Sequence, residues 1–83
     1  MYLSDAIRKR ILELMKQKNI KSFSELSRLA GVSSGAVNEF IKGKTDLPKL
    51  DTLLHICEAL NVDLGEFFSN PLFFETYHEL DDE

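Results

Sequence analysis

Hydrophobic residues in this chain of 83 residues recur at intervals of three and four. No stretch keeps the alternation of a half-buried strand. Leu3, Ile7, Ile11 and Leu14 form one such stripe and predict a helix over residues 5–18. Ser4 is its expected N-cap, Asp5 suits the positive end of the helix dipole, and Asn19 can take the left-handed conformation that ends it. A short second helix is predicted from Phe23 to Ala30. Ser22 and Glu25 have the spacing of a capping box, and Gly31 supplies the positive φ of a tight exit. Ser33 caps a third helix that runs to Lys42, with Val37, Phe40 and Ile41 as its apolar stripe and Gly43 as its stop. Beyond Pro48, residues Leu50, Leu53, Leu54, Cys57 and Leu60 mark a fourth helix, which Asn61 ends. Asp63 and Glu66 pair as another cap for a brief helix over residues 63–68. Asn70-Pro71 is a good helix start, and residues 72–80 predict a last amphipathic helix. The expected architecture is all-α: a compact five-helix bundle over residues 1–69 and a short helical extension over residues 70–83.

The length admits one small domain. A chain of this size buries about 60% of the surface that its unfolded form exposes, which leaves no room for a second core or a large cleft. Apolar runs such as Phe67-Phe68 and Leu72-Phe73-Phe74 are far shorter than a membrane span, so no membrane association is expected. The first residues lack the apolar stretch of a signal peptide. Cys57 is the one cysteine, which excludes an internal disulfide and suits the reducing cytoplasm, the expected location. Its place on the fourth stripe makes it a core side chain.

Charge changes the picture more than composition does. The formal net charge is −4, but it is divided unevenly. Residues 1–50 hold all ten Lys and Arg against five acids, a net +5, whereas residues 51–83 hold nine acids and no Lys or Arg. Phosphate binding depends on the local field, so the first half can meet a polyanion despite the acidic total. His55 and His78 stand apart with no second ligand at metal-binding spacing. No nucleophile–base pattern or phosphate loop occurs. The chain is therefore expected to be neither an enzyme nor a holder of a metal or cofactor.

Residues 23–43 carry most of the functional information. Leu26, Ala30, Val32, Val37 and Phe40 are the positions that two short helices bury when they cross steeply. The small residues Ser27 and Ala30 allow close approach, and Gly31 makes the turn. This is the pattern of a helix-turn-helix. It leaves Ser34, Gly35, Asn38 and Glu39 on the outer face, free to enter a major groove. Asn38 suits bidentate recognition of adenine, the alternative being an ordinary polar surface residue. Glu39 can accept from cytosine or simply repel phosphate. Gly35, which costs roughly 1 kcal/mol in a helix interior, either permits close approach to DNA or is a tolerated departure. Arg8, Lys9 and Arg10 are expected on a solvated face of the first helix.

On these residues the chain resembles the Cro/CI-type (XRE-family) helix-turn-helix transcriptional regulators of bacteria and phages, with the lambda-repressor-like fold. Gly43-Lys44, Pro48, Leu50 to Leu54, Ala59-Leu60-Asn61-Val62 and Phe67-Phe68 match the usual continuation of that motif, and the resemblance covers residues 5–68. It implies a five-helix lambda-repressor-like bundle in which Ser33, Ser34, Gly35, Asn38 and Glu39 face bases. It implies phosphate contacts from Lys42, Lys44 and Thr45, and from Ser22 and Phe23 at the start of the second helix, where free amides can meet a phosphate. Two positions depart from the family. Phe23 stands where a glutamine often grips the DNA backbone. Ile41 stands where an acid often pairs with a base on the first helix, so that pair is missing.

The expected function is sequence-specific binding of double-stranded DNA as a transcriptional regulator, a repressor rather than an activator. A single helix-turn-helix reads only a few base pairs, so a homodimer on a palindromic operator is expected. Five of the eight aromatic residues fall within positions 67–77. That is more than so small a domain is expected to bury unaided, and Phe67, Leu72, Phe73, Tyr77 and Leu80 are the expected dimer interface. The alternative from another class is a protein-interaction module, or an antitoxin-like partner, that uses the acidic half to sequester another protein. Lysines around the recognition helix favour DNA.

Overall fold

The structure, a computed structural model, describes residues 1–43 and 47–76, the side chains of Ser34 and Ala36 excepted. Five helices follow one another: α1 (Leu3–Gln17), α2 (Phe23–Ala30), α3 (Ser34–Ile41), α4 (Leu50–Ala59) and α5 (Leu64–Phe68). A single 3₁₀ turn, Pro71–Phe73, comes after them. Among the described residues no strand forms, and Tyr2 is a lone bridge position.

Local chemistry sets most of the boundaries. Ser22 Oγ accepts from the Glu25 amide at 3.1 Å, and the Glu25 carboxylate reaches back to the Lys21 amide at 3.4 Å, one residue before the cap. Asp63 Oδ1 accepts from the Glu66 amide at 2.6 Å and starts α5 in the same way. Asn19 and Asn61 both adopt φ 60, and Gly31 and Gly43 take φ 70 and 79, so the exits of α1 to α4 each use a residue that tolerates the left-handed region. The first cap differs from expectation. α1 starts at Leu3, with Tyr2 at the N-cap position and no side-chain cap, and Ser4 is buried inside the first turn. Leu3 packs on the core, which draws the opening turn inward past the serine.

The core is built from every helix. Ile7, Ile11 and Leu14 of α1 meet Leu26 of α2, Val37 and Phe40 of α3, Leu53, Ile56 and Cys57 of α4, and Phe67 of α5. Each large apolar side chain so buried contributes about 1.5–3 kcal/mol. That burial is what holds α2 and α3, since helices of eight residues do not persist alone in water. α2 packs against both α3 and α4. Burial, with Asp63 adding to it and Arg10 opposing it, pushes the Cys57 thiol up to about 11, so it remains a protonated core group.

Two expectations are corrected here. Arg10 does not lie on a solvated face; it is 7% exposed. Its guanidinium donates to the Phe67 carbonyl at 2.7 Å and the Glu66 carbonyl at 2.9 Å, and pairs with Glu13. Glu13 in turn accepts from the Asn70 side chain at 3.1 Å, which ties α1 to the segment after α5. The second correction concerns the extension. Asn70 caps as expected, accepting from the Leu72 amide at 2.9 Å, but it starts one 3₁₀ turn and no helix forms over residues 74–76. Phe73 turns onto Phe67 and Phe68, with ring centroids 6.0 and 4.9 Å away, and the Phe74 amide bonds only three residues back, to Pro71. The turn lies against α1. Residues 77–83, which include the rest of the expected helix, lie outside the described residues.

Candidate nucleic-acid interface

α2 and α3 turn polar positions outward because their apolar positions are committed inward. Leu26 and Ser27 are buried on α2, and Phe23 and Ala30 pack against the core. Ser27 Oγ donates to the Phe23 carbonyl at 2.7 Å, which keeps the hydroxyl satisfied where neighbouring helices press close. The Val32 amide returns to the Ser27 carbonyl at 3.1 Å, closing the Gly31 turn and fixing where α3 begins. On α3, Val37 and Phe40 are buried and Ile41 is half-buried.

The opposite stripe of α3 and its exit is Gly35, Asn38, Glu39 and Lys42. Their spacing of three, one and three places them within about 100° of arc on one helical face. Gly35, Glu39 and Lys42 are exposed, Asn38 is half-buried, and Ser33, just before the helix, is exposed. Gly35 is not at positive φ, and a Cβ built on it would meet nothing within 4 Å. Nothing inside the protein requires glycine there.

The expected phosphate contacts divide. Lys42 is exposed just past α3. Ser22 is exposed, but its hydroxyl serves the α2 cap. Phe23 is half-buried with its ring on the core, so only its backbone can face outward. The Phe23 and Ser24 amides, first in α2, have no acceptor within the helix. Glu25 sits at the same end, and an anion there weakens the pull on a phosphate. Lys44, Thr45 and the side chain of Ser34 lie outside the described residues. Lys49, exposed at the N-cap position of α4, is a further cation not among the expected contacts.

Sequence reasoning also missed what stands behind α3. Arg8 of α1 donates from Nε to the Phe40 carbonyl at 2.6 Å and lies over the Phe40 ring, 4.8 Å from its centroid. Asp5 holds the same guanidinium at 3.0 Å. The acid-for-Ile41 pair is absent, as the sequence implies, yet a base from the first helix still reaches the end of α3 through a backbone oxygen. The available signals were the Asp5–Arg8 spacing and the lack of any basic residue in the last turn of α3 itself.

Of the residues expected at a dimer interface, Phe67, Leu72 and Phe73 are described, and Phe67 and Phe73 pack on each other. Phe67 is 0% exposed and central to the core, so it has no surface to offer a second chain. Phe73 is half-buried on Phe67 and Phe68, and Leu72 is half-buried. Tyr77 and Leu80 lie outside the described residues. Phe74, outside that expected set, is 79% exposed. Among the described residues no helix is long and apolar enough to cross a membrane, and no group of three or more His, Cys, Asp or Glu is placed to hold a metal.

A family model described as the Cro/C1-type HTH DNA-binding domain matches residues 10–70. Among solved structures, the chain is similar to one described as the crystal structure of the prophage Lp1 protein 11. The TM-score is 0.77 at 25% sequence identity, over 92% of this chain and 100% of that one. No curated protein sequence matches the chain.

Proposed function

The chain belongs to the Cro/C1-type helix-turn-helix DNA-binding domain family, and from that premise we propose that it is a transcriptional regulator that lays α3 in the major groove of a specific operator. The outward stripe of α3 carries this reading. Gly35, Asn38, Glu39 and Lys42 share a face while Val37 and Phe40 hold the other side in the core. Asn38 and Glu39 read base edges together with Ser33 and Ser34, and Gly35 lets the helix backbone lie close to the duplex. Lys42, with Lys44 and Thr45, meets phosphate, as do Ser22 and Phe23 at the start of α2. Occluding a promoter needs only tight binding, so repression is the simplest output.

Two copies on a palindromic site place recognition helices about 34 Å apart, one turn of DNA. The pairing surface is the segment after α5. Phe67 is withdrawn from it by burial; Leu72, with Phe73, Tyr77 and Leu80, remains the proposed contact, and the exposed Phe74 joins it.

Selection of bound fragments from random duplexes with the purified protein tests the reading, followed by salt titration on the selected site. Asn38→Ala should lose about 1–3 kcal/mol on the selected duplex and little on random DNA. Lys42→Ala should weaken both and lower the magnitude of the salt slope by about 1. Failure of the wild-type chain to enrich any sequence would overturn the assignment.

A further inference from the structure

α3 is poorly equipped to hold its own carboxyl end. It has eight residues, a glycine in its first turn and no basic residue in its last. Its final carbonyls carry the negative end of the helix dipole, and the lysine beside them, Lys42, follows the helix and is exposed to solvent. The Phe40 carbonyl already accepts the Gly43 amide at 3.0 Å, where the chain leaves the helix at positive φ. A guanidinium from α1 supplies what α3 lacks. Arg8 places Nε 2.6 Å from that same carbonyl and its plane over the Phe40 ring, and Asp5 orients the other side of the fork. Arg8 is separated from Phe40 by 32 residues, so the contact fixes α3 against α1 rather than bracing either helix within itself.

We propose that Arg8 is a positioning residue for DNA reading, which locks the carboxyl end of α3 to α1 and thereby sets how the Asn38–Lys42 face enters the groove. This rests on α3 being the recognition helix. Arg8 does not contact DNA. Specific binding needs base-reading groups held to a fraction of an ångström, whereas non-specific binding needs only cations near phosphates. Loosening the end of α3 therefore lowers discrimination between sites and spares the salt-dependent part of binding.

The test uses the full chain with two probes, the duplex enriched by the wild-type protein and a random-sequence duplex of equal length. Arg8→Met keeps the aliphatic stem and removes the fork. It should weaken binding to the enriched duplex by about tenfold or more, the scale of one lost charge-assisted hydrogen bond, with random-duplex affinity and both salt slopes unchanged. Arg8→Lys, which returns a charge to the helix end, should recover part of the lost discrimination. Equal losses on both duplexes with a salt slope smaller by about 1 would make Arg8 a phosphate contact and overturn the proposal. Unchanged binding to the enriched duplex would overturn it too. Amide exchange in the free protein gives a readout that needs no DNA. In Arg8→Met the Lys42 and Gly43 amides, bonded to the Asn38 and Phe40 carbonyls, should exchange faster while α4 amides keep their protection. A uniform rise across all helices would reduce Arg8 to a general stability role. If Arg8→Met fails to fold, Asp5→Asn, which only frees the fork to turn, should show the same two signatures in weaker form. Because exchange is measured without DNA, a wild-type chain that enriched no sequence would sink the DNA reading and leave the anchoring result standing.

Discussion

The carboxyl ends of α3 and α5 both receive an arginine from α1, yet the two regions use the anchor differently. At α5 the arginine is sealed in. Arg10 bonds two carbonyls and Glu13, and Phe67 beside it fills the centre of the core. At α3 the anchor stands behind a face that stays open, with Gly35, Glu39 and Lys42 exposed in front of it. One attachment is closed inside the fold; the other stands behind a surface that is open to solvent. Similar chemistry at two helix ends thus serves a sealed region and an exposed one.

Replacing Arg10 should show the largest effect. Arg10→Met leaves two carbonyls and Glu13 without their donor, and should destabilise the domain by about 3 kcal/mol in urea unfolding. Arg8→Met should cost about 1 kcal/mol in the same assay. Equal losses would erase the distinction between the two anchors.

The two phenylalanines after α5 sharpen the comparison next. Phe73→Ala removes a ring packed on Phe67 and Phe68 and should destabilise the monomer by about 2 kcal/mol. Phe74→Ala should change unfolding by no more than about 0.5 kcal/mol while shifting the sedimentation of the full chain towards monomer. A reversed order would mean that Phe74, not Phe73, belongs to the folded core.

Gly35→Ala tests the open face. With free space around the new methyl, the substitution should stabilise the unbound protein by about 0.4–1 kcal/mol. It should also weaken binding to the selected duplex. Tighter binding along with the gain in stability would show that this face does not press against DNA.

The last effect appears only at high pH and lies in α4. The Cys57 thiol is held un-ionised until about 11 in the folded chain, whereas in the unfolded chain it ionises from its ordinary 9.0. A group raised in this way stabilises the fold fully below pH 9 and loses that contribution as pH climbs towards 11. Wild-type stability should therefore fall more steeply across that window than that of Cys57→Ala, as read by unfolding at successive pH values.

Much of this organisation was readable in the sequence, and the failures share a cause. Ser22, Asp63 and Asn70 act as caps, and Asn19, Gly31, Gly43 and Asn61 end or follow helices at positive φ, because a cap or an exit is decided by a few neighbouring residues. The outward stripe of α3 was likewise legible from the spacing of Val37 and Phe40 behind it. The two arginines were not. Their targets are backbone carbonyls 32 and 57 residues away, and a carbonyl has no residue identity to recognise. The helix expected over residues 72–80 stops after one turn for a related reason. Amphipathic spacing describes which residues want burial, but the ring of Phe73 found its burial against Phe67 and Phe68 before a helix was needed.

The 57-residue separation between Arg10 and the carbonyl of Phe67 also has a consequence for biosynthesis. On a ribosome adding about 5–20 residues per second, Arg10 emerges roughly 3–11 s before its acceptors exist. Late in that interval every residue of α2 and α3 has been made, yet the Arg10 fork has only Glu13 to pair with. Phe67, which is fully buried in the core that α1 helps to build, also comes after every other helix, so that core is complete only once α5 has been made. Fragments released before α5 carry α1 and α3 without the carbonyls that seal Arg10.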